Sequence, residues 1–149
     1  MADMRIRHLK AAHLDIFETL PQYKEDFERA LPEWVYLGNI GQAGAFIYQG
    51  RILYIGGYLF RTPTVVEVWA YPSIYMKGHE LLVIKHVKWW MYHLENFYKL
   101  TRIQTWGDGT EMGKRWLEFL EFKHEGMLNS YLPDGGALHV WGKICKKIE

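Results

Sequence analysis

The chain has one cysteine, Cys145, among its 149 residues. No internal disulfide can staple the fold, and that usage fits a reducing compartment. Net charge is nearly absent, with 18 Lys and Arg against 17 Asp and Glu, a formal +1. Such a balance offers no electrostatic footprint for nucleic acid. No apolar run approaches the roughly 20 residues that cross a bilayer, and the N-terminus lacks a signal-peptide pattern. The expectation is a cytoplasmic protein that engages neither nucleic acid nor membrane. Repeats, linkers and low-complexity segments are missing, so residues 1–149 read as a single domain. The five prolines fall where elements should end.

Aromatic residues are plentiful instead: seven Trp, ten Tyr and seven Phe, 16% of the chain. A sheet–helix core is the commoner use of such an excess, ahead of stacking surfaces or interfaces. Met4 to Leu9 alternates as a first strand. Ala11 to Leu20 is amphipathic through Leu14, Phe17 and Leu20, and Pro21 stops it. Tyr23, Phe27, Ala30 and Leu31 space out a second short helix closed by Pro32. From Gly44 to Phe60 the period changes to two, with Gln49-Gly50-Arg51 as a hairpin signal and Gly56-Gly57 as a bulge or close backbone approach.

Val65 to Phe97 is the stretch around which the rest is organised. A strand, Val65 to Tyr71, places Val66, Val68 and Ala70 on one face and Glu67, Trp69 and Tyr71 on the other. The turn Pro72 to Gly78 leads into a long helix with Leu81, Ile84, Val87, Met91, Leu94 and Tyr98 at spacings of three and four. A strand that turns into a helix N-terminus offers free N–H groups and the positive end of the helix dipole to an anion. Afterwards come a short strand, Arg102 to Trp106, and the cap material Gly107 to Thr110. A helix through Met112, Trp116 and Leu120 follows, then a hairpin around Pro133 to Gly136. An antiparallel meander followed by alternating helices and strands indicates α/β with a mixed sheet.

This order, with particular residues in place, resembles the GNAT (GCN5-related N-acetyltransferase) superfamily. The hairpin Ala45 to Ile55 is similar to that fold's second and third strands. Ala70-Tyr71-Pro72 stands where the fourth strand often ends in Val-x-Pro. The strongest local match is Trp116 to Leu128, similar to a helix-to-strand junction commonly written Tyr-Glu-Lys-Leu-Gly-Phe-x-x-Glu-Gly. The resemblance implies a mixed, mostly antiparallel twisted sheet with helices on both faces. Its implied cofactor is acetyl-CoA, held by Ala70, Tyr71, Met76, Lys77, Gly78 and His79. The family's pyrophosphate loop, Arg/Gln-x-x-Gly-x-Gly/Ala, falls on Tyr75-Met76-Lys77-Gly78-His79-Glu80. Gly78 agrees, Tyr75 replaces the Arg or Gln, and Glu80 stands at the last small position. A carboxylate there would occupy the positive site a diphosphate uses.

For catalysis the resemblance implies Glu67 as general base on the fourth strand. Its usual general acid, a Tyr, falls on Leu117, which cannot donate a proton; Tyr71, Tyr75 or Tyr131 would have to serve. Thr110 near an Asn position is explained by N-capping. The departures are similar to small GNAT-like proteins of short-tailed bacteriophages known as internal virion protein A, which implies a phage virion or host protein as partner. Two classes follow: an acyl-CoA-dependent N-acetyltransferase, or a binding or virion component on the same scaffold.

His79, His86 and His93 recur every seven residues. Each step rises about 10.5 Å along a helix, too far for neighbours to share one ion, so no metal is expected. Trp89-Trp90 should send one ring into the core and leave the other for a partner subunit, which admits a homo-oligomer. Trp106 and Trp141, on strands, read as core residues.

Overall fold

The computed structural model describes residues 4–24, 28, 42–107 and 109–145. The helices and strands are β1 (Met4–His8), α1 (Ala11–Ile16), β2 (Ala43–Tyr48), β3 (Arg51–Thr62), β4 (Val65–Pro72), α2 (Glu80–Tyr98), β5 (Arg102–Gly107), α3 (Glu111–Phe119), β6 (Lys123–Leu128) and β7 (Leu138–Ile144). Single 3₁₀ turns lie at Pro21–Tyr23 and Ile74–Met76. The strands form one seven-stranded sheet in the order β1-β2-β3-β4-β5-β7-β6. β4 and β5 run parallel, as strands joined through a helix such as α2 can. The pairs β1–β2, β2–β3, β5–β7 and β6–β7 are antiparallel. The sheet is therefore mixed and mostly antiparallel, the α/β class expected. No helix among the described residues is long and apolar enough to cross a membrane.

Two compact units share the chain, residues 1–58 with 69–80 and residues 59–68 with 81–149. In the first, Leu9, Ala45, Phe46, Leu53 and Ile55 are buried, each large side chain contributing about 1.5–3 kcal/mol on leaving water. The β2–β3 turn is two residues long: Tyr48 pairs Arg51, and Gln49 and Gly50 sit at φ 51° and 76°, the positive values a type I′ turn requires. The expected bulge is displaced from Gly56-Gly57 to Leu53, which is skipped between the pairs Phe46↔Tyr54 and Ile47↔Ile52. At Gly57 the alternative, a close approach, is what occurs. A Cβ there would collide with the Gln42 carbonyl oxygen and stand 2.8 Å from Trp69 Cζ2.

Helix α1 ends at Ile16, four residues before the expected Leu20, because Phe17 turns extended (φ −79°, ψ 121°). That turn lets Thr19 bridge to Ser73. Of the helix expected from Tyr23 to Leu31, Tyr23 closes a 3₁₀ turn and most of the rest lies outside the described residues.

In the second unit Val66, Val83, Ile84, Met91, Leu94, Ile103, Phe122 and Trp141 are buried. Two expectations are corrected here. Leu81 is 68% exposed and Val83 is buried in its stead, the two lying about 200° apart around the helix. Trp106 is 41% exposed, on the face of β5 opposite the buried Ile103 and Thr105. Trp89 is exposed and Trp90 half-buried.

Helix α3 begins with Thr110 Oγ1 accepting from the Gly113 amide at 3.1 Å and ends in a Schellman motif. Phe122 N–H reaches the Leu117 carbonyl and Glu121 N–H the Glu118 carbonyl. Glu121 therefore holds φ 70°, the left-handed conformation for which the related junction uses Gly. A second bulge sits at Glu125, between the pairs His124↔Trp141 and Gly126↔Val140. It aims the Glu125 carboxylate at both terminal nitrogens of Arg102. The pair holds the Glu125 carboxyl below its usual value and the Arg102 guanidinium above its own.

Candidate functional site

In the first unit the end of β4 enters a tightly tied turn. Ser73 is buried; its N–H donates to the Leu53 carbonyl at 2.9 Å, and its Oγ accepts from the Tyr75 amide at 3.1 Å. The bulge at Leu53 frees that carbonyl for the turn. Ile74 N–H donates to the Glu18 carbonyl at 2.9 Å, and His79 N–H to the Met76 carbonyl at 2.9 Å. Gly78 stands at φ +88° with nothing within 4 Å of where a Cβ would be. Its N–H points at Glu80 Oε2, 2.9 Å away. The Glu80 carboxyl is held below its usual value first by its own backbone amide, then by that of Gly78, with His79 and Lys77 adding charge.

The turn thus gathers Met76, Lys77, Gly78 and His79 into one loop at the start of α2. Lys77 and Gly78 are exposed and Met76 and His79 half-buried. Ala70, expected on the apolar face of β4, is exposed, and Tyr71 meets Tyr23 edge-on at 6.2 Å. Tyr75 donates its hydroxyl to Glu18 Oε1 at 3.3 Å.

Glu67 belongs to the second unit. It is 7% exposed and accepts from three donors: Arg61 Nη2 at 2.6 Å, Trp106 Nε1 at 2.6 Å and Gln104 Nε2 at 3.3 Å. Sequence reasoning named the carboxylate and missed all three partners. Backbone pairing of β4 with β5 covers Val65↔Arg102, Val66↔Ile103 and Glu67↔Gln104. One residue further, the Val68 carbonyl accepts from Thr105 Oγ1 at 2.8 Å. Leu117 stands where a proton-donating Tyr would be expected, against Gly107, and Tyr131 is exposed. Among the described residues no three His, Cys, Asp or Glu side chains are grouped to hold a metal ion.

This strand order, with a parallel pair bridged by a long helix, is the fold of the GNAT acetyltransferases, and comparison with solved structures bears that out. The chain is similar to an acetyltransferase of the GNAT family from Bacillus anthracis, at TM-score 0.71 and 11% identity over 95% of both chains. It is also similar to a ribosomal L7/L12 alpha-N-protein acetyltransferase in complex with coenzyme A, at TM-score 0.71 and 12% identity over 97% of this chain and 95% of that one. A third is a putative acetyltransferase from Salmonella typhimurium with its cofactor acetyl-CoA, at TM-score 0.72 and 12% identity over 98% and 96%. No family model and no curated relative match the chain.

Proposed function

We propose that this chain keeps the GNAT scaffold as a binding component and does not hold coenzyme A at micromolar concentration. The Glu80 carboxylate on the Gly78 amide, at 2.9 Å, carries this reading. The donor that a diphosphate would use already has an anionic partner. A second negative charge about 4 Å away would be repelled by about 1 kcal/mol even at the dielectric of water. The residues of the turn, as arranged, do not fit a pyrophosphate.

Two further observations support the reading. Leu117 offers no proton to a leaving thiolate. Glu67 has three donors on its two oxygens, so it serves better to order β4 and β5 than to accept a proton from an amine. The partner carried by the phage resemblance is a protein of the virion or of the host. Trp89, Tyr92 and Phe97, 56%, 62% and 79% exposed on α2, give such a partner apolar surface to cover.

The second reading, an acyl-CoA-dependent N-acetyltransferase with Glu67 as base, draws on Glu80 being only half-buried. Its carboxylate can rotate into water and release the Gly78 amide to a ligand. Ala70, Tyr71, Met76, Lys77, Gly78 and His79 would then be the residues beside the coenzyme.

Thermal denaturation with acetyl-CoA separates the two. A ligand at about a hundredfold its dissociation constant raises stability by about 2.7 kcal/mol. The expected result is no saturable rise for the wild type and a saturable rise for Glu80→Ala, which restores a small residue. A saturating rise in the wild type at micromolar coenzyme overturns the binding-component reading.

A further inference from the structure

Beside the strand-to-helix turn, and separate from its amides, lies a cleft of about 300 Å³ lined by Tyr48, Gln49, Arg51, Leu53, Tyr75 and His79. That volume is at the lower end of the range for small-ligand pockets, roughly 300–1,000 Å³. The sequence builds it from local pieces. The two-residue turn at Gln49-Gly50 sets Tyr48 and Arg51 opposite one another. The bulge at Leu53 ties this hairpin to the turn through the Ser73 amide.

Arg51 has the geometry of a recognition residue. Its Cζ lies 4.5 Å from the centre of the Tyr75 ring, and the Tyr75 hydroxyl is itself held by Glu18. A guanidinium stacked on an aromatic face is oriented by it, while its N–H fork remains available at the edge. Arg51 is exposed, and among the described residues its guanidinium forms no hydrogen bond or ion pair. The His79 ring stands 5.2 Å from that of Tyr48 on the same cleft. The two carboxylates at this end already have donors: Glu18 has the Tyr75 hydroxyl and Glu80 the Gly78 amide.

We propose that this cleft binds the phosphate of a phosphomonoester, with Arg51 as the recognition residue and Tyr75 as its platform. A phosphate has three strong acceptor oxygens. The Arg51 fork can meet two of them side by side, with the His79 ring N–H and the Gln49 amide at hand for the third. The Tyr48 and His79 rings give a flat group on the ester, such as a nucleobase, a surface to lie against. The proposal uses none of the amides that Glu80 occupies, and of residues 76–80 it shares only the His79 ring with the coenzyme reading.

The test is a ¹H–¹⁵N titration of the full chain with adenosine 5′-monophosphate and with inorganic phosphate, acetate serving as the carboxylate control. Saturable shifts are expected at the amides of residues 48–51 and at the Arg51 side chain, with dissociation constants of about 1 mM or tighter. Arg51→Ala should weaken both phosphate ligands by about tenfold or more, and Arg51→Lys, which keeps the charge without the fork, by less. Arg51 is exposed at the start of β3, so both variants should keep the wild-type spectrum elsewhere. The proposal is overturned if neither phosphate ligand saturates or if Arg51→Ala binds as the wild type does. Shifts that gather on the amides of Gly78 and Glu80, or acetate binding as tightly as phosphate, overturn it as well.

Discussion

The indole N–H of Trp106 donates to the carboxylate of Glu67 across β4 and β5, Nε1 to Oε1 at 2.6 Å. Arg61 and Gln104 complete a set of three donors on one nearly buried acid. An amide in that place would turn its own N–H₂ toward Arg61 or Trp106, which can only donate. Glu67→Gln is therefore expected to lose about 2–3 kcal/mol of stability, the scale of a charged acceptor removed from partners that stay behind. Urea unfolding of the variant beside the wild type measures it, and equal midpoints would refute the network's structural role.

His86 sets an acid limit. Burial pushes its imidazole down to about 4 from an ordinary 6.5. The unfolded chain therefore takes up a proton at a higher pH than the fold does. The neutral ring's contribution is complete above about pH 6.5 and is lost as pH falls toward 4. Stability measured by urea should decline through that window, and His86→Gln should decline less steeply. Parallel curves for the two proteins would remove His86 as the cause.

Glu121 is strained. A side chain at φ 70° costs about 1–2 kcal/mol relative to glycine. Glycine's greater freedom in the unfolded chain returns about 0.5–1 kcal/mol of that. The Lys143 partner, 3.6 Å away, is joined to a largely exposed carboxylate and adds only about 0–1 kcal/mol. On the central values of these three effects Glu121→Gly should raise stability by about 0.3 kcal/mol, read as a slightly higher midpoint in thermal unfolding. A lower midpoint would show that the ion pair outweighs the backbone.

What could be read from the amino acids was what neighbours in sequence decide. Gln49-Gly50 announced its hairpin, Thr110 its cap, and Glu80 its position at the start of the long helix, because each acts within a few residues of itself. The same locality explains the errors. The three-and-four spacing of α2 marks a broad apolar stripe without saying which edge is covered, so it points Leu81 inward and leaves out Val83, the reverse of what the fold does. Alternation put Trp106 in the core, although the side of β5 it occupies is decided by a carboxylate 39 positions earlier. Arg61, Gln104 and Trp106 converge on Glu67 only once β4 and β5 are paired. Arg51 likewise meets Tyr75 only after the hairpin folds beside the turn.

Cys145 closes the sheet at the end of β7. Its amide donates to the Thr101 carbonyl at 3.0 Å, and burial first, then the Glu95 carboxylate, pushes its thiol up to about 11. Near neutral pH almost none of it is thiolate, the form that reacts with alkylating reagents. Cys145 is thus expected to react slowly with maleimide or iodoacetamide. A cysteine installed at exposed Gln49 or Lys77 becomes a preferred attachment point for a fluorophore or spin label, with the natural residue left in place.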